Sequence, residues 1–291
     1  MAHDSDQRRY GVVFDTVAAE YDRNRPGYPD ELVDRAVQAA GLTDGDRVLE
    51  IGCGTGQLTR SLVGRGLRVT AIEPGANLIE LAGRAARGTG SVEFINSRFE
   101  DAAIEGGFAA AFCASAFHWL DPDVSWAKVA RLLAPGGLLA LIQYGALRRE
   151  DIVTDDDALI SVLSEAAPEI AAVLPPLRDL DTILSGVEER RANVSDVWAW
   201  LGHREVARPY AATLFRDVEI AAVPTVTEQT AEELRALLRT TSLYPRLTSA
   251  QREALERGNR GIEERVGRPI RAGMAAVMVT ARRAYPSAAH V

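Results

Sequence analysis

Cysteine is almost absent from this chain, with two residues in 291, Cys53 and Cys113. That is too few for a disulfide framework, and neither sits in the repeated Cys/His spacing of a zinc site. Histidine is scarce too: there are four, and His3 and His290 fall in the termini. No acids and histidines are grouped as metal ligands. Long apolar runs are also missing. The most apolar stretch, 132–147, is broken by Pro135, Gly136 and Gly137, so it reads as two short buried elements and not as a membrane span of about 20 residues. The first ten residues are polar and offer no apolar core for a secretion signal. Excess positive charge is lacking as well, since 41 acidic against 33 basic residues leave a net charge of −8, which repels phosphate backbones and anionic lipid headgroups. These absences predict a reducing, cytosolic setting, with no nucleic-acid or membrane partner.

What is present is a globular composition, 47% hydrophobic and 25% charged, able to bury a large core as one domain or as one domain with a substantial insertion. Over 30–40, Leu32, Val33, Ala36, Val37 and Ala40 recur at helical spacing and Gly41 stands as a stop. Short apolar runs at 47–51, 68–72, 92–95, 108–114 and 137–143 alternate with helical patterns at 57–63, 77–87 and 124–133. This βα rhythm predicts an α/β fold, a mostly parallel sheet with helices on both faces. The rhythm breaks after Tyr144. Residues 150–205 read as a helical cap inserted over the carboxyl edge of the sheet, and strands at 218–226 and 275–281 complete it. Between those strands lie two helices with capping-box signatures, Thr230 with Glu233 and Thr248 with Gln251.

The most informative segment is Glu50-Ile51-Gly52-Cys53-Gly54-Thr55-Gly56, between the first strand and a helix. Glycines spaced by two let the backbone turn sharply and come close to a ligand. Glu50 ends the first strand and Glu73 ends the second, 23 residues on; the second acid is placed to accept from both hydroxyls of a ribose.

At these residues the chain resembles the class I S-adenosylmethionine-dependent methyltransferases, whose first motif reads acid-x-Gly-x-Gly-x-Gly. A nicotinamide-binding fold would more often place a third glycine where Gln57 stands. The resemblance runs from about Phe14 to Leu141 and includes Arg98-Phe99-Glu100-Asp101, Ala116-Phe117-His118-Trp119 and Leu133-Ala134-Pro135-Gly136-Gly137. The opening around Tyr21-Asp22 and Arg25-Pro26-Gly27-Tyr28-Pro29 is similar to a small-molecule subgroup that includes trans-aconitate and ubiquinone-pathway enzymes. The resemblance implies a Rossmann-like, doubly wound sheet of seven strands. Its parts would be a lid segment (1–29), a cofactor-binding core (30–149), the cap (150–205) and a completion of the core (206–291). S-adenosylmethionine would be the cofactor and S-adenosylhomocysteine the product. Gly52, Gly54 and Gly56 would line the methionine part beside Glu50, and Glu73 would hold the ribose. Phe99 and Glu100 would border adenine, and Ala114 would end the strand beneath the sulfonium. One departure is Ala109, where many relatives carry an acid.

Methyl transfer to a hydroxyl, an N–H or an acidic carbon also calls for a base. His118, Tyr21 and His203 are the candidates, although an exposed helix-end histidine would explain His203 equally well. Arg25, Tyr28, Trp119, Tyr144 and Trp198 are the candidate substrate contacts; Trp198 and Trp200 lie on different helix faces, so one of them packs. Arg25 either pairs a substrate carboxylate or ties the lid down. The acceptor expected is an aromatic or heteroaromatic, indole-like small molecule. The alternatives are a small carboxylic acid methylated on oxygen, and a non-enzymatic module that binds the cofactor.

Overall fold

The computed structural model describes residues 13–88, 90–202 and 207–285. In chain order the elements are α1 (Val13–Thr16), α2 (Ala18–Asn24), α3 (Asp30–Ala40), β1 (Arg47–Ile51), α4 (Gln57–Val63), β2 (Arg68–Glu73), α5 (Ala76–Ala85), β3 (Val92–Asn96) and β4 (Phe108–Ala114). They continue with a 3-10 turn (Phe117–Trp119), α6 (Pro122–Leu132), β5 (Leu133–Ala146), α7 (Asp156–Ala166), α8 (Pro168–Ala171), α9 (Leu180–Glu188) and α10 (Val194–Gly202). The chain ends with α11 (Ala211–Leu214), β6 (Phe215–Gln229), α12 (Ala231–Arg239), a second 3-10 turn (Tyr244–Arg246), α13 (Ser249–Val266) and β7 (Ile270–Arg283). The expected seven-stranded sheet is present, in the order β3-β2-β1-β4-β5-β7-β6. β1 runs parallel to β2 and β4, β2 to β3, and β4 to β5.

β2 and β3 run one residue past the sequence patterns, and three strands run well past them. β5 begins at Leu133, before the Pro-Gly-Gly, because Phe108 pairs with Leu133 and Ala110 with Leu138, so the turn residues bulge out of a continuous pairing. β6 and β7 likewise extend beyond 218–226 and 275–281.

Residues cluster into two compact units. One holds residues 26–143, 184–223 and 276–285. Its core is built from inward residues of the sheet, such as Leu49, Ile51, Phe108, Leu139 and Val279, and from Trp126 and Val129 of α6. Trp126 is 1% exposed and packs its ring 4.5 Å from that of Phe117. Helix α3 buries Leu32, Val33 and Ala36 and stops where Gly41 takes the left-handed conformation.

The other unit holds residues 13–25, 144–183 and 224–275. Both capping boxes form, at Thr230 with Glu233 and at Thr248 with Gln251, and so start α12 and α13 where the sequence placed them. Helices α7 and α13 cross closely: a Cβ on Gly258 would fall 2.4 Å from Val162. The single cap expected over 150–205 is instead divided, with α7 and α8 in this unit and α10 in the first. The physical reason is the pairing of apolar faces: Ala167 and Ile170 pack with Leu247 and Leu255, whereas Val194, Val197 and Trp198 join the core beneath the sheet.

Candidate functional site

The glycine loop leaves β1 at its carboxyl end, in the unit that holds residues 26–143. Gly52, Gly54 and Gly56 all have positive φ, at 71°, 56° and 87°, a region where a side chain is strained. Space excludes one as well: a Cβ at Gly52 would lie 2.4 Å from Cβ of Ala116, and one at Gly56 would lie 3.2 Å from Ala82. The loop therefore presses its bare backbone against the turn after β4 and against α5.

Glu73, at the end of β2, is 7% exposed and fixes this loop. Its Oε2 accepts from the Gly54 N–H at 3.1 Å and its Oε1 from the Gly75 N–H at 3.0 Å. Asn96 steadies the same corner, its Nδ2 donating to the carbonyls of Glu73 and Pro74 at 3.0 Å each.

Glu50 lies deeper, 1% exposed, and accepts from Thr59 Oγ1 at 2.6 Å. Burial pushes its pKa up to about 8, with the Thr59 hydroxyl working against the rise and the Glu73 charge adding to it. Glu50, expected beside the cofactor, is thus an enclosed carboxyl held on Thr59. Burial also raises both thiols, Cys53 and Cys113, which fits their role as fillers.

Other expected site residues fall as follows. Phe99, expected to border adenine, has its ring 2% exposed inside the core, with the Lys128 ammonium 5.1 Å from its centroid. Glu100 keeps an oxygen on the Asp121 N–H at 2.7 Å. Ala114 ends β4, paired in register with Ile142. The next residue, Ser115, has φ 54° and accepts from the Tyr28 hydroxyl at 3.0 Å. His118 and Trp119 stand in the 3-10 turn, rings tilted at 4.7 Å. Trp198, expected to meet the substrate, is 3% exposed and meets Phe117 edge-on at 6.2 Å, because α10 turns its apolar stripe inward. Trp200 packs against Gly186.

Tyr21, Arg25 and Tyr144 belong to the other unit. Tyr21 stacks edge-on against Phe14 at 5.7 Å and lies under Arg25. Arg25 takes the second of its two sequence roles: Nε donates to Thr240 Oγ1 at 3.1 Å and Nη2 to the Thr240 carbonyl at 2.8 Å, closing the end of α12. Tyr144 is half-buried and burial raises its phenol pKa. His203 lies outside the described residues. Thr59, Asn96, Ser115 and Lys128 were not singled out from the sequence; a charged residue on the buried stripe Ser125-Lys128-Val129-Leu132 of α6 was the one available signal. Among the described residues no group of acids, histidines and cysteines could hold a metal, and no helix is long and apolar enough to cross a membrane.

Comparison with known proteins gives the same reading of the core. Residues 49–141 match the family model described as a methyltransferase domain. An uncharacterized methyltransferase of Mycobacterium tuberculosis is 36% identical over 136 residues, 47% of this chain and 54% of that protein. A ubiquinone biosynthesis O-methyltransferase of Xanthomonas oryzae is 38% identical over 101 residues, 33% of this chain and 42% of that protein. The chain thus spans about half the length, or less, of these curated relatives. Among solved structures, a candidate type II methyltransferase from Anaeromyxobacter dehalogenans superposes with a TM-score of 0.58 at 23% identity, covering 89% of this chain and 97% of that one. That likeness shows a shared fold. Residues 49–141 are therefore similar to a methyltransferase domain, and the sheet that holds them shares its Rossmann-like fold with that solved structure.

Proposed function

We propose that the chain transfers the methyl group of S-adenosylmethionine to a carbon, nitrogen or oxygen nucleophile of a small aromatic or heteroaromatic molecule. The observation that carries this reading is Glu73 at the end of β2, whose two oxygens are held by the Gly54 and Gly75 N–H groups beside a loop of three glycines at positive φ. The glycine loop offers backbone without side chains to the amino-acid end of the nucleoside, and the Glu73 carboxylate gives that edge the sign that favours a cation. When bound, the cofactor supplies an electrophilic methyl carbon on a sulfonium.

The chain's own residues then have three tasks. Holding the reactants in line is worth about 7–11 kcal/mol in well-oriented systems, and the rigid loop and the turn at 115–119 serve this. Ala116 abuts Gly52, and His118 follows two residues later; this puts His118 first among the candidate bases for the acceptor's proton. Trp119 and the Tyr28–Ser115 hydroxyl pair offer an aromatic face and a polar handle to the acceptor. The partial relative named an O-methyltransferase favours oxygen among the three nucleophiles. The carboxylic-acid alternative leaned on Arg25, whose guanidinium is engaged at Thr240.

The test is incubation with S-adenosylmethionine carrying a labelled methyl group and a metabolite extract, followed by mass spectrometry. Label in an aromatic small molecule is expected. Cofactor binding with label in no small molecule would instead make the chain a cofactor-binding module, and label in tRNA or protein would overturn the small-molecule assignment.

A further inference from the structure

Lys128 is the only lysine in the chain; the other 32 of its 33 basic residues are arginine. It lies on the buried stripe of α6, 7% exposed. Its Nζ donates to three backbone carbonyls, of Phe99 at 2.5 Å, Glu100 at 3.0 Å and Ala102 at 2.7 Å. Three donors on one compact centre meet three convergent acceptors, a geometry that a planar guanidinium does not reproduce. That distinction accounts for a lysine at this one place in a chain otherwise committed to arginine.

The segment so held lies beside Glu73. Asn96 is the register partner of Glu73, and three residues later the chain reaches Phe99. In the order β3-β2-β1-β4 the glycine loop leaves β1, on one side of Glu73, and the segment 97–102 leaves β3, on the other. A nucleoside gripped at its ribose by Glu73, with its amino-acid end on the glycine loop, directs its base toward 97–102. Since the Phe99 ring is buried and the Glu100 carboxylate is engaged at Asp121, the shape met there is set by the backbone.

We propose that Lys128 is the positioning residue of the base subsite: its ammonium locks the backbone of residues 99–102 in the form that receives the adenine ring. The proposal rests on the methyltransferase reading above. Lys128 touches no ligand itself and acts through the three carbonyls. Burial lowers its pKa and the Arg131 charge adds to this, while the Glu100 and Asp101 carboxylates act in the opposite direction.

The test compares two ligands, S-adenosylhomocysteine and 5′-methylthioadenosine, which share adenine and ribose and differ in the amino-acid end. In Lys128→Met and Lys128→Arg, calorimetry should find affinity for both lowered by the same factor, about tenfold or more, as expected for losing charge-assisted hydrogen bonds that order a subsite. Unchanged affinity in both variants overturns the proposal. So does a loss for S-adenosylhomocysteine much larger than that for methylthioadenosine, which would mean general loosening that reaches the glycine loop. Should the variants fail to fold, wild-type chain with 15Nζ-labelled lysine gives a single side-chain resonance. It should shift on saturation with methylthioadenosine, and a stationary signal with the ligand bound refutes the idea. A wild type that takes up neither ligand would overturn the methyltransferase reading itself.

Discussion

Replacing Glu50 by Gln should make the unliganded chain more stable, and increasingly so as the pH rises. Glu50 is enclosed between β1 and α4 and accepts a hydrogen bond from Thr59, and its pKa stands at about 8 against an ordinary 4.5. Below pH 4.5 the carboxyl is protonated in both folded and unfolded chains, and stability does not depend on it. Between 4.5 and about 8 the unfolded chain loses the proton while the folded one keeps it, so stability falls by about 1.4 kcal/mol per pH unit. Near pH 8 the accumulated penalty approaches about 5 kcal/mol, an upper bound because solvent entry and relaxation reduce it. Glutamine has the same shape, its Oε1 can accept from Thr59, and it does not ionise. Urea denaturation of wild type and Glu50→Gln at pH 5, 6.5 and 8 should show a gap that widens with pH. In thermal melts the gap corresponds to about 8 °C at pH 8, taking about 1.6 °C per kcal/mol for a chain of this length. A gap that stays constant from pH 5 to 8, or a wild type that gains on the variant as pH rises, would refute the reasoning, because it would mean that the folded chain already carries Glu50 ionised.

Other expectations follow from single contacts. Gly52→Ala meets both a positive φ and the Ala116 side chain; it should cost about 2 kcal/mol or more and abolish S-adenosylhomocysteine binding, checked by melting and calorimetry. Gly186→Ala would drive a Cβ to 2.1 Å from the Trp200 ring and should destabilise by about 1–3 kcal/mol, with a change in tryptophan fluorescence. Partial burial raises the Asp155 carboxyl, but Arg268 and the Arg271 N–H outweigh it and hold the pKa below its usual 3.8. Its stabilising effect is therefore present above pH 3.8 and lost as the pH falls through the lowered value, and Asp155→Asn should flatten the acid limb of the denaturation profile. Arg25→Ala should lower the melting temperature while leaving S-adenosylhomocysteine affinity unchanged, and loss of that affinity would show that Thr240 is not its main partner.

The legible parts of the fold were those written in local sequence. The first four strands and α3 to α6 follow apolar periodicity, and α12 and α13 start at capping boxes whose partners are three residues apart. The glycine loop was legible because positive φ at three alternating positions leaves little choice but glycine. What sequence could not give was any partnership across long separations. Arg25 meets Thr240 across 215 residues, and Lys128 meets Phe99 across 29; in each case one residue type fits several roles until the fold selects a partner. The burial of Trp198 and Phe99 was hidden for a related reason, since an aromatic at the end of an apolar stripe suits a core and a pocket equally. The regrouping of residues 150–205 was hidden because helical periodicity reports that a face is buried and says nothing of what covers it.

Titration of S-adenosylhomocysteine into the full chain, wild type and Glu73→Ala side by side, is the experiment on which the reading turns. Wild type should bind at one site per chain, and the variant should lose about tenfold or more as the glycine loop and the ribose both lose their acceptor. Absence of heat with wild type, accompanied by tight uptake of a nicotinamide dinucleotide, would contradict it.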